Sequence, residues 1–244
     1  EYQCPVYALV GNHDVKYGKY EYLPEQPLGV LFSAGLFTEF GNDKEIILEE
    51  DGVKVRVVGV PYHGTSYDFD RLSRIEKKDE DYLIVACHLL ARKGSTGSMF
   101  EGEDIIGYEF LETVVGVDCW CFGHWHKDQG VTQLKNGAFV VNTGSLTRGS
   151  LHLDDLDRQP CVVEINATSE CLSYTRHNVP MIPADKAFKV AQAVFEKEDH
   201  NRMLEIAEQM KQMSVGDVNE PLTERIKKSG LSEEVIERAL SYLD

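Results

Sequence analysis

Short apolar runs recur along the chain, each closed at its C-terminal end by turn-forming residues: VYALVG (6–11), VKVRVVGV (53–60), YLIVACH (82–88), DCWCFGH (118–124), AFVVNTG (138–144), CVVEIN (161–166) and LSYTRH (172–177). Runs of this length, rich in Val, Ile, Tyr and Phe, predict strands. Between them lie helix-compatible stretches, notably YDFDRLSRIEKKDED (67–81) and GYEFLETVVG (107–116). The mixture predicts an α/β domain. Segments 93–104 and 147–160 are polar and rich in Gly, Ser and Asp, and read as loops. From about Pro183 the spacing becomes helical: Ala187, Phe188, Ala191, Val194 and Phe195, then Met203, Ile206, Ala207, Met210 and Met213. Two shorter helices are expected after them, one opening near Pro221, the other at Ser232 with Glu233 and Glu234 beside the positive end of its dipole. The chain thus divides into a domain over 1–182 and a helical tail over 183–244.

Composition narrows the setting. The 244 residues are 42% hydrophobic, enough for one sizeable core and a small appended module. No apolar stretch approaches the roughly twenty residues of a membrane span. The N-terminus shows no charged leader followed by an apolar segment. A soluble protein with no membrane partner is expected. The net charge of −16 favours metal or other cationic partners and opposes unassisted binding to a nucleic-acid backbone. The six cysteines include no CxxC pair and sit mostly in apolar runs, as small core hydrophobes do, so a reducing, cytoplasmic compartment is expected. Cys119 and Cys121 are read as alternation along a strand rather than as a soft-metal site.

Three polar clusters stand where strands run out: GNHD (11–14), His88 at the end of YLIVACH, and GHWH (123–126). Ligands of open α/β sheets gather at the carboxyl ends of strands, so clusters far apart in sequence can converge. His124 and His126, two residues apart, would share a strand face or be aimed together by a turn after Gly123. Imidazoles with an Asn carbonyl form a mixed N/O donor set suited to Mn, Fe, Zn or Ni rather than Ca or Mg. Singly, each has a plainer reading: His88 as a core histidine, GNHD as a tight turn. Ser145, in NTGSLTRG, lacks the spacing of a nucleophile elbow and reads as part of a strand-ending turn. Arg148 is a candidate phosphate contact.

Together and in this order, GNHD, a strand-end His and GHWH resemble the third, fourth and fifth motifs of the calcineurin-like metallophosphoesterases, from the first residues to about residue 166. The resemblance implies a sandwich of two mixed sheets flanked by helices, with a pair of divalent metal ions, manganese foremost, at the strand ends. It implies that Asn12, His88 and His124 ligate one ion and His126 the other. His13 would stand near the leaving group and Asp14 would orient it. The family's first two motifs, with an Asp-x-His pair and a bridging aspartate, are expected upstream of GNHD, and none of the ten preceding residues fits them. The chain is therefore read as beginning within the domain. Taken alone it is expected to bind at most one metal and to be inactive.

The stretch VVNTGSLTRGSL through DRQPCVVEI is similar to the SbcD-like DNA-repair nuclease branch. That likeness implies a phosphodiesterase acting on DNA. It also implies C-terminal elements that hold an ATPase partner, and the apolar stripe after Pro183 suits such a partner, a second copy of the chain, or packing on itself. A phosphomonoesterase or nucleotide phosphodiesterase is the alternative enzyme, and a non-catalytic scaffold of the same fold is the alternative of another class.

Overall fold

The computed structural model describes residues 4–94, 97–98, 102–147, 158–187, 222–228, 236 and 240. The chain divides into two compact units, Glu1–Ile182 and Pro183–Asp244.

The first unit is built on a six-stranded mixed sheet. Strand β3 (Ile46–Glu50) forms an antiparallel hairpin with β4 (Val53–Val60). The two residues between them, Asp51 and Gly52, both have positive φ, as the right-handed twist of a tight hairpin requires. Next to β4 lie β5 (Tyr82–Cys87), β9 (Cys119–Phe122) and β11 (Phe139–Asn142), all parallel, and β10 (Gly130–Gln133) closes the far edge antiparallel to β11. Parallel strands covered on both faces need near-continuous apolar sequence. Leu83, Val85, Trp120 and Val140 accordingly lie fully buried in the centre, with Leu72, Ile105, Ile106 and Leu111 packed in the same core.

Three smaller sheets accompany it among the described residues. β1 (Tyr7–Ala8) pairs parallel with β2 (Thr38–Glu39). β8 (Asp104–Gly107) lies between β6 (Ala91–Arg92) and β7 (Gly97–Ser98). β12 (Cys161–Ala167) and β13 (Leu172–Asn178) form a hairpin. The α/β class expected from the sequence stands, and the strands over 53–60, 82–88, 118–124, 138–144, 161–166 and 172–177 all occur. The run VYALVG pairs only at Tyr7–Ala8, because Val10 turns into a separate small core with Val15, Leu23, Leu28 and Phe32. The segment 93–104 is not wholly loop, since Gly97–Ser98 and Asp104 pair as strand.

Both expected helices within this unit are shorter than their hydrophobic period suggests. Asp68 caps the first by accepting from Arg71 N at 2.8 Å, but the helix is confined to Phe69–Ser73. Beyond it the almost fully buried Arg56 guanidinium takes Glu80 at 2.9 Å, Glu45 at 3.0 Å and the Glu76 carbonyl. A helix continuing through 76–80 would need that carbonyl for itself. The second helix is confined to Tyr108–Leu111, and the Asn136 side-chain amide donates to the carbonyls of Leu111, Glu112 and Val114.

In the second unit, helices are described at Ala184–Ala187 and Leu222–Lys227, the latter directly after Pro221. The long helical stripe from Phe188 to Met213 and the Ser232 helix lie outside the described residues. No helix among the described residues is long and apolar enough to cross a membrane. Cys87, Cys119 and Cys161 are buried, and Cys119 Sγ lies 3.8 Å from Cys121 Sγ, as alternation on one strand face requires.

Candidate metal centre

Register places the site. Cys87 of β5 pairs with Val60 of β4 on one side and Phe122 of β9 on the other. The residues that follow, Tyr62 and His63, His88, and His124, therefore leave the sheet at one edge. His88 N donates to Val60 O at 2.9 Å and Gly123 N to Cys87 O at 2.8 Å, extending the ladder by one bond on each side. Tyr62 N donates to Val10 O at 3.0 Å and so ties the N-terminal segment to that edge.

Asn12–Asp14 forms a single 3-10 turn. Asp14 closes it twice, its carboxylate accepting from Gly11 N at 2.8 Å and its own N–H reaching Gly11 O at 3.1 Å. The turn presents Asn12 to His88: the His88 Nε2–H donates to Asn12 Oδ1 at 2.9 Å. The His88 and His124 rings lie 5.1 Å apart between centroids, and those of His13 and His126 6.0 Å apart. The Tyr62 ring flanks the group, 5.5 Å from His124 and 6.4 Å from His88. His63, three residues past the end of β4, bonds Asn42 Oδ1 at 2.7 Å and stacks on Tyr20.

Burial, reinforced by His124, His13 and His126, pulls the His88 pKa down to about 4. At neutral pH the ring is uncharged, the form that ligates a metal. A spacing of 2.9 Å between His88 Nε2 and Asn12 Oδ1 is that of adjacent donors around one ion with bonds of about 2.1 Å. An ion there would replace the shared proton. His124 is held differently, its Nε2–H donating to Glu103 Oε1 at 2.9 Å. His124 has φ 79°, in the left-handed region that side chains disfavour. Among the described residues no three His, Cys, Asp or Glu side chains are already clustered as a metal cage. Asn12 and His88 nevertheless fit a divalent ion as a donor pair, with His124 beside them.

Sequence reasoning missed several supporting residues. Gly11 has no Cβ, and one would come within 2.6 Å of the His88 ring. Glu103 lies in a segment read as loop, with no periodicity to mark it. Tyr67 OH donates to Glu103 Oε1 at 2.8 Å, and burial pushes that hydroxyl far above its ordinary range. Arg158 holds the His126 turn, donating to the carbonyls of His126 at 2.8 Å, Thr147 at 2.6 Å and Ser145. Ser145 Oγ donates to Thr147 O at 2.9 Å, as a turn residue would. Arg148 lies outside the described residues.

Residues 1–128 match the family model described as calcineurin-like phosphoesterase. No curated protein matches the chain. Among solved structures it is similar to a putative 5'-nucleotidase from Staphylococcus aureus in complex with alpha-ketoglutarate, at 19% identity and a TM-score of 0.49. The similarity covers 72% of this chain and spans 38% of the length of that one.

Proposed function

This chain belongs to the calcineurin-like phosphoesterase family, and on that premise we propose that it is the metal-binding core of a phosphoester hydrolase, with a phosphodiester of the DNA type as substrate. The observation that carries the reading is the approach of His88 Nε2 to Asn12 Oδ1 at 2.9 Å with His124, His13 and His126 grouped around them. Asn12, His88 and His124 would hold one divalent ion, and His126 would belong to a second. Manganese is the first candidate, with iron, zinc or nickel as others. Bound ions of this kind supply Lewis acidity and a hydroxide-like water for in-line attack.

The chain's own side chains do the rest. His13, on the turn that Asp14 closes, is the acid that gives a ring proton to the leaving oxygen. Arg148 is proposed as a contact to the phosphate. Support for a DNA substrate comes from the likeness of residues 140–165 to the SbcD-like nucleases. The tail after Pro183 is correspondingly proposed as the seat of an ATPase partner or a second copy. The net charge of −16 favours a second reading, a small nucleotide or phosphomonoester that needs no long polyanion groove.

Turnover of bis-p-nitrophenyl phosphate with added manganese by the full gene product tests for an enzyme, and absence of turnover by that manganese-loaded protein would leave the scaffold reading. Linear and hairpin DNA set against nucleoside monophosphates then separate the two substrates. Hydrolysis of the monophosphates with intact DNA would sink the nuclease reading.

A further inference from the structure

The side chain that controls His124 lies outside all three motif clusters. Glu103 is 7% exposed, and its Oε1 accepts from His124 Nε2–H at 2.9 Å and from Tyr67 OH at 2.8 Å. The Tyr67 oxygen in turn accepts from Leu90 N at 2.9 Å. Two donors on one oxygen leave the carboxylate little freedom to rotate. Its backbone is equally constrained. The neighbouring Asp104 accepts from Tyr67 N at 2.9 Å and donates its own N–H to Thr65 O at 2.8 Å, and Ile106 N reaches Leu90 O at 2.9 Å. Because Leu90 is two residues past His88, this one network spans the turns that carry both His88 and His124.

We infer that Glu103 is the positioning residue of His124, holding its Nε2–H and so presenting Nδ1 as the ring nitrogen open to a divalent cation. The inference rests on the proposed role of His124 as a metal donor. An ionised carboxylate can only accept, so the proton of a neutral His124 ring must sit on Nε2 and the lone pair on Nδ1. Histidines that bind metals commonly donate their second N–H to a carboxylate, which sets the tautomer and raises ligand basicity. The left-handed φ of His124 agrees with this: such backbone persists where its surroundings over-determine it, and the Glu103 bond is one such restraint.

Imidazole-15N NMR on the full 244-residue chain, first metal-free and then titrated with zinc, tests the inference. In the metal-free wild type His124 should show protonated Nε2 and unprotonated Nδ1, and zinc should shift Nδ1 while Nε2–H persists. Glu103→Gln should mix the tautomers and weaken zinc binding about 10- to 100-fold. Tyr67→Phe, which keeps the ring and releases one donor from the carboxylate, should give a smaller change in the same direction if Glu103→Gln fails to fold. Zinc appearing on Nε2, as it would if Glu103 left His124 to ligate the ion itself, overturns the inference. So does unchanged zinc affinity in the folded Glu103→Gln protein, which leaves the metal reading standing. A locked Nε2–H tautomer with no zinc uptake by the wild type instead overturns the metal reading, and the inference falls with it.

Discussion

The Gly11 backbone lies against the His88 imidazole so closely that a Cβ at position 11 would stand 2.6 Å from Cε1 and 2.9 Å from both ring nitrogens. No side chain fits there unless the ring moves. Gly11→Ala should displace His88 from Asn12 Oδ1 and lower metal affinity at least about tenfold, with a loss of about 1–3 kcal/mol in stability from the forced overlap. Zinc titration and urea unfolding of the variant measure both. Retention of wild-type affinity would show that His88 takes no part in binding the ion.

His13 and His124 should separate chemistry from binding. In the full gene product, His13→Asn is expected to keep metal content near the wild-type value while reducing turnover about 10²- to 10⁴-fold, the usual contribution of a positioned acid. His124→Asn should lose the metal as well. Elemental analysis after dialysis, paired with a manganese-supplemented assay, reads both properties. The opposite pattern would exchange the two roles.

The depressed His88 pKa of about 4 has a defined consequence for the metal-free protein. The unfolded chain takes up a proton near pH 6.5 and the folded ring only near 4, so His88 contributes stability above about pH 6.5 that is lost as the pH falls through that window. The full difference is on the order of 3 kcal/mol. Urea unfolding between pH 7 and pH 4 with a chelator present should show the decline, and His88→Gln should flatten it. Parallel pH profiles in the two proteins would refute the assignment to His88.

Arg56 and Glu80 form a charge pair inside the domain, with 5% and 0% of their side chains exposed. Arg56→Met leaves the Glu80 carboxylate buried without its cation, at a cost of about 3–5 kcal/mol. The double variant Arg56→Met, Glu80→Leu should recover much of that loss. Thermal unfolding of the two variants beside the wild type decides it, and an Arg56→Met protein as stable as wild type would mean that the segment 76–80 rearranges to expose Glu80.

The sequence alone determined the parallel strands β4, β5, β9 and β11 of the large sheet, because a buried parallel strand must be an unbroken apolar run, whereas its antiparallel edge strands β3 and β10 went unread. It also determined the donor types in GNHD, at His88 and in GHWH, since few other side chains can ligate or move protons. Local pattern carries no information about partners distant in the chain, and those were decided by tertiary structure. The Arg56 guanidinium competes for the carbonyl that helix 67–81 would have used, so the hydrophobic period overstated that helix. Glu103 meets His124 because β5 and β9 are in register and Tyr67 anchors the residues beside it, a contact between positions 21 apart in a stretch with no repeat to mark it. Gly11 reads as a turn residue in the sequence. Only the approach of a ring from residue 88 makes its missing Cβ a condition of the site.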